Sequence, residues 1–163
     1  MTVSLARLGA SLCFVTSLAL APAVHADSDW RDDATQEEKV RNLVKVVPST
    51  SQIMIELGER YSHLYWAANM GKWEFAAYQA EEVAALVETL RIAQPRRAKT
   101  AGEFLDRAFP EIAEAAESRD SDRFERAFAQ LRQACLTCHV ANDHAFITLP
   151  AIPPRSSSPV LHE

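Results

Sequence analysis

The chain has 163 residues, 48% of them hydrophobic, and a formal charge of −5. That length suffices for one domain with a real core. The acidic balance argues against nucleic acid as a partner.

The first 26 residues read as a secretory signal peptide. Arg7 is the single charge, Leu8 to Ala21 is almost wholly apolar, and Val24-His25-Ala26 offers small residues where a signal peptidase cuts. The run is too short and wrongly flanked for a membrane anchor. Cleavage after Ala26 puts the mature chain in the periplasm or otherwise outside the cytoplasm, with no membrane span left. Removal of Arg7 makes it one unit more negative. Cys13 leaves with the signal, and Leu12 before it argues against a lipoprotein site.

Residues 27–48 are expected to form an exposed N-terminal arm. It opens with the acidic stretch Asp27 to Asp33 and carries a weakly periodic short helix from Gln36 to Val47. Pro48 and Ser49-Thr50-Ser51 then mark the start of a long helix running to Met70. Ile53, Leu57, Tyr61, Leu64, Tyr65 and Ala68 make its apolar stripe, and Gly71 ends it. A second helix from Lys72 to about Ala93 uses Ala76, Ala80, Val83, Leu86, Val87 and Leu90. Gln94-Pro95 stops it, and Arg96-Arg97-Ala98-Lys99 is a basic loop. A third segment, Ala101 to Ser118, carries Leu105, Ala108, Ile112 and Ala115, with Pro110 expected to kink or divide it. Asp120, Ser121 and Asp122 are N-cap candidates for a last helix bearing Phe124, Ala127, Leu131, Ala134, Cys135 and Cys138. Residues 147–163 form a Pro/Ser-rich tail, expected to be extended or disordered, although it follows Cys135–His139 closely enough to shield one edge of a group bound there.

No strand pattern interrupts this series. The expected fold is therefore all-α: an antiparallel four-helix bundle over residues 49–146, a fold that places cofactors between facing helices.

Cys135-Leu136-Thr137-Cys138-His139 gives the clearest chemistry. C-x-x-C-H is the attachment pattern of c-type haem. Residues three and four apart share a helix face, so both thiols can reach the two vinyl groups of one haem. His139 follows at once as the proximal iron ligand, with its other ring nitrogen donating to a carbonyl. The competing meanings are a redox-active thiol pair or half of a zinc site. After signal removal these are the only two cysteines. A structural zinc site wants four ligands, and the chain has no second cysteine pair and no closely spaced pair of histidines. One covalent haem c per chain is the expectation.

An exported four-helix pattern with C-x-x-C-H on the last helix resembles the class II c-type cytochromes, the cytochrome c prime family. In sequence the likeness is specific around Phe124 to His139. The resemblance implies that the last-helix histidine binds iron and that the first helix lines the opposite face. An apolar residue there leaves iron five-coordinate; a methionine there makes a six-coordinate electron carrier. That family usually has an aromatic and a basic residue three and four places after the motif histidine, where this chain has Asn142 and Asp143. The chain is also similar to uncharacterised exported C-x-x-C-H proteins through Tyr61-Ser62-His63-Leu64-Tyr65-Trp66-Ala67-Ala68 and Lys72-Trp73-Glu74-Phe75-Ala76-Ala77-Tyr78.

The first helix offers Met54, His63 and Met70 opposite His139. Met54 falls near the apolar stripe, as a soft axial ligand or as core filling. His63 lies about 140° from the stripe's centre, which favours the surface or a second packing face; the second likeness also has a histidine there, which becomes a distal ligand or a donor to bound gas if the bundle turns that face inward. Met70, at the helix end, is the weakest of the three. The aromatic residues between Tyr61 and Tyr78 read as core, as a haem-contact wall or as a homodimer face. His144 reads as a surface residue or a propionate contact, and Arg123, Arg126 and Arg132 as a solvated face from which one could pair a propionate.

The leading functional expectation is a periplasmic mono-haem electron carrier serving redox partner proteins. A module that binds or senses a diatomic gas through an open sixth position is the alternative. No catalytic acid, base or nucleophile constellation argues for an enzyme, although His63 could serve as the distal base of a peroxidase.

Overall fold

A computed structural model describes residues 29–155. The signal segment with its cleavage point at Ala26, and the tail from residue 156 onward, lie outside the described residues. Among the described residues every regular element is a helix. None is long and apolar enough to cross a membrane.

The chain divides into two compact units, residues 1–42 and 43–163. In the first, Asp29 caps a four-residue helix, α1 (Trp30–Asp33), by accepting from the Arg31 amide. The helix α2 (Gln36–Val46) begins in this unit behind a reciprocal cap: Thr35 accepts from the Glu38 amide and Glu38 from the Thr35 amide. Neither helix has a buried residue. The short α1 stands within the stretch that the sequence presents only as an acidic arm.

In the second unit α3 (Thr50–Asn69) starts behind Ser49, whose hydroxyl accepts from the Gln52 amide while the Gln52 side chain accepts from the Ser49 amide. It ends where Gly71 turns with φ +71°, a left-handed conformation that glycine adopts without a Cβ clash. Next comes α4 (Trp73–Ala93), stopped before Pro95 and followed by a 3-10 turn, Pro95–Arg97. The predicted third helix is two helices, α5 (Ala98–Arg107) and α6 (Phe109–Ser118). Pro110 is the reason: it has no N–H to donate and sits comfortably in the first turn of α6, where no donor is needed. Arg119 closes α6 in the left-handed region at φ 55°, and Asp120 caps α7 (Ser121–Ala141) by accepting from the Arg123 amide.

Packing follows the apolar stripes. α3 packs on α4, α4 on both α5 and α6, and α7 on α3, α5 and α6. Leu64, Phe124, Ile112 and Leu131 are the largest fully buried apolar side chains. Phe124 meets Trp73 edge-on at 5.9 Å and Phe128 at 5.8 Å, and Phe128 stacks on Tyr61 at 4.5 Å. The aromatic residues of α3 therefore serve mainly as packing between α3 and α7. Phe104 and Ala101 are core residues that the periodicity of a single third helix did not single out.

Candidate functional site

The faces of α3 and α7 that meet only in part leave a cavity of about 670 Å³. That is within the usual size of a pocket for a cofactor or drug-sized ligand, about 300–1,000 Å³. On α3 its wall is Met54, Leu57, Gly58, Tyr61 and Ser62, with Ile55 and Glu59 at its exposed edge. On α7 it is Leu131, Cys135, Cys138 and His139, on one face. Val83, Val87 and Leu90 of α4 and Phe104 of α5 complete the apolar lining.

Both motif thiols and the motif imidazole thus share one apolar cavity. Cys135 and Cys138 are free thiols, not a disulfide. Burial pushes the Cys135 thiol up to about 12, with the neighbouring Cys138 adding to the shift. The His139 ring Nδ1 stands 3.0 Å from the Ile147 carbonyl. With Nδ1 donating there, Nε2 is the nitrogen left for a ligand bond. Burial likewise lifts the Tyr61 phenol to about 12, so its hydroxyl remains a protonated donor on the cavity wall.

Two distal candidates part company. Met54 lines the cavity together with His139, and both also line a small adjoining pocket of about 40 Å³. His63 is not among the lining residues. Nine positions beyond Met54 on the helix, it points about 180° away. Its ring instead lies 6.2 Å from Phe75 of α4 and its Nε2 3.8 Å from Glu59. Burial holds the His63 imidazole below its usual range. Met70 is also absent from the lining; its sulfur accepts from Arg155 at 3.7 Å.

The residues after the motif have local duties. Asn142, at the C-cap of α7, donates to the Cys138 carbonyl at 2.8 Å and to the Thr100 hydroxyl at 2.9 Å. Arg97 donates to the Asn142 side chain at 2.9 Å and to its carbonyl at 3.1 Å. These bonds tie the end of the motif helix to the start of α5. Asp143 takes a positive φ of 64°, a conformation that Asp and Asn tolerate better than most residues. His144 faces Phe146 at 5.6 Å and lines the small pocket with Arg97 and His139. Of the three arginines of α7, Arg123 pairs with Glu114, Arg126 is exposed, and Arg132 donates to the Leu149 carbonyl at 2.7 Å.

The sequence did not point to Arg97 and Asn142 as neighbours of the site; it allowed the tail to reach one edge of the site, and the structure lays Ile147–Arg155 along the cavity. Only the polar identity of Asn142 directly after the helix, a common C-cap residue, hinted at either of the two residues.

Among the described residues no group of three or more His, Cys, Asp or Glu is placed to hold a metal ion by itself. Compared with protein-family models, curated proteins and solved structures, the chain has no match.

Proposed function

We propose that the chain is a mono-haem c-type cytochrome of the class II kind, an exported electron carrier rather than an enzyme, built as an antiparallel four-helix bundle. The single observation that carries this reading is the His139 pair of contacts. Its ring lines an apolar cavity beside both motif thiols, while Nδ1 engages the Ile147 carbonyl. A histidine so held presents one nitrogen in one orientation, which is what an iron ligand requires. The donor set and the apolar lining also fit the group: two thiols for two thioethers, one imidazole, and walls suited to a macrocycle.

The bundle reading draws on the packing order, with α5 and α6 together acting as the third helix. Cys135 and Cys138 would anchor the haem from α7. The chemistry that it supplies when bound is reversible one-electron exchange at iron. Leu57, Val83, Val87 and Phe104 exclude water and lower the local dielectric, a standard lever on reduction potential. Met54 is the side chain of α3 that would offer the iron a second protein ligand, since it shares both pockets with His139. The gas-binding alternative takes Met54 as core filling, which leaves the iron an open position within the same apolar lining; the single O–H of Tyr61 on that wall is already given to the Pro150 carbonyl.

The test is expression with the c-type maturation machinery, followed by spectra of the oxidised and reduced protein with and without carbon monoxide. A low-spin spectrum indifferent to carbon monoxide, converted to a carbon monoxide-binding one by Met54→Ala, is the expected result. High-spin iron that binds carbon monoxide before any substitution selects the gas-binding reading. No covalent haem at all rejects both.

The cavity wall supplies a second check. A Cβ added at Gly58 meets nothing within 4 Å, and Gly58 lines the cavity. Gly58→Leu is expected to keep or raise helix stability by up to about 1 kcal/mol, because leucine costs less than glycine in a helix interior. It should nevertheless cut haem incorporation severalfold by filling the space. Thermal melts of the unloaded chain and the haem-to-protein ratio after maturation read the two effects separately.

A further inference from the structure

The segment after the motif helix is held far more firmly than its composition suggests. Pro150, Pro153 and Pro154 carry no N–H, so the segment cannot build a ladder of its own. Its carbonyls are instead taken by side chains of two helices. From α3, Tyr61 donates to the Pro150 carbonyl at 3.0 Å, Trp66 Nε1 to the Pro153 carbonyl at 3.0 Å, and Ser62 to the Pro154 carbonyl. From α7, Arg132 donates to the Leu149 carbonyl at 2.7 Å. Pro153 is buried, and the Arg155 guanidinium lies 4.9 Å above the Trp66 ring. Ile147, Leu149, Pro150 and Pro153 all line the cavity. The same segment supplies the carbonyl that holds His139.

We propose that Ile147–Arg155 is a strap latched across α3 and α7 that covers one side of the cavity and slows the entry of an outside ligand there. Ser62 and Trp66 are the positioning residues of the latch at its free end; Tyr61 and Arg132 hold its middle. The covering of the cavity stands on the geometry alone. Its consequence at iron rests on the haem reading above.

The experiment uses the full chain and the double variant Ser62→Ala/Trp66→Phe, which removes two donors while keeping an aromatic ring beneath Arg155. Trypsin reports the latch, because it cuts after Lys and Arg and neither occurs between Arg155 and Glu163. Cleavage after Arg155 in the native parent should be slow beside that of the urea-unfolded chain, and roughly tenfold faster in the variant, the loss expected for two neutral hydrogen bonds. Carbon monoxide association with the reduced haem protein, measured with Met54→Ala added to both parent and variant so that the gas can bind, should accelerate by a similar factor. Parent cleavage as fast as that of the unfolded chain overturns the strap. Faster cleavage with an unchanged carbon monoxide rate overturns its role as the cover. Tyr61→Phe, which removes one hydroxyl and keeps the stack on Phe128, should give a smaller increase in both rates and serves if the double variant does not fold. If the matured chain carries no haem, the proposed function fails, and the entry rate of the apolar dye anilinonaphthalene sulfonate into the unloaded cavity decides the role of the cover instead.

Discussion

A chain with Cys135→Ala and Cys138→Ala together should carry no covalent haem after export beside the c-type maturation machinery. Nothing else from Asp27 onward can replace the two bonds, because no other cysteine follows Ala26. The measurement is retention of pigment on a denaturing gel, together with the mass of the intact chain. Each single cysteine variant should retain at most one thioether and a lower yield. His139→Ala leaves both thiols in place and should alter the spectrum instead, because it removes the ligand that the Ile147 carbonyl orients. Cys135 and Cys138 line a cavity, so the unloaded double variant should keep its helical circular dichroism. Pigment bound covalently to the double variant would place the attachment elsewhere and remove the basis of the proposed function. Burial of the Cys135 thiol adds a point of timing. With its ionisation pushed up to about 12, the thiol of the folded, unloaded chain is a poor nucleophile near neutral pH. Haem attachment is therefore expected to precede or accompany closure of the helices around the cavity.

Phe124→Ala should remove about 3–5 kcal/mol of unfolding free energy, the usual cost of truncating a buried phenylalanine. The ring is 1% exposed and bridges Trp73 on α4 to Phe128 on α7. Little relaxation can fill the gap, because Phe128 is itself committed to the Tyr61 stack. Against a typical total of about 5–15 kcal/mol, this loss is at least a fifth of the stability and approaches the whole of it at the low end of the range. Urea unfolding followed by circular dichroism measures it. Phe146→Ala is the matched control: that side chain is 79% exposed, and its removal should change stability by less than about 0.5 kcal/mol. Equal losses at the two positions would mean that Phe124 does not sit in the principal core. The Phe124 variant should also loosen the cavity, since Tyr61 lies on both the aromatic stack and the wall.

Local chemistry made most of the helices readable. Ser49, Gly71, Pro95 and Asp120 each act within one turn of their own positions, so caps and stops are visible without any knowledge of the fold. Pro110 was legible as a disruption, but whether a proline kinks or divides a helix depends on packing around it; here it opens α6. The motif was legible because its three residues are adjacent in sequence. Helical phase also separated Met54 from His63, since a half-turn difference holds whatever surrounds the helix. Likeness to exported C-x-x-C-H proteins drew His63 toward a proposed haem pocket; its ring lies 6.2 Å from Phe75 of α4.

The sequence by itself determined the helical class, the order of the long helices and the thiol pair with its histidine, because each rests on spacing within a few residues. Only the tertiary structure decided what covers one side of the cavity. Proline and serine in the tail predict a chain that cannot pair with itself, and that much is true of Ile147–Arg155. Whether its bare carbonyls meet water or protein depends on donors about 90 residues away, at Tyr61, Ser62 and Trp66. No periodicity encodes a bond of that kind, because it arises only after α3 and α7 have been packed side by side.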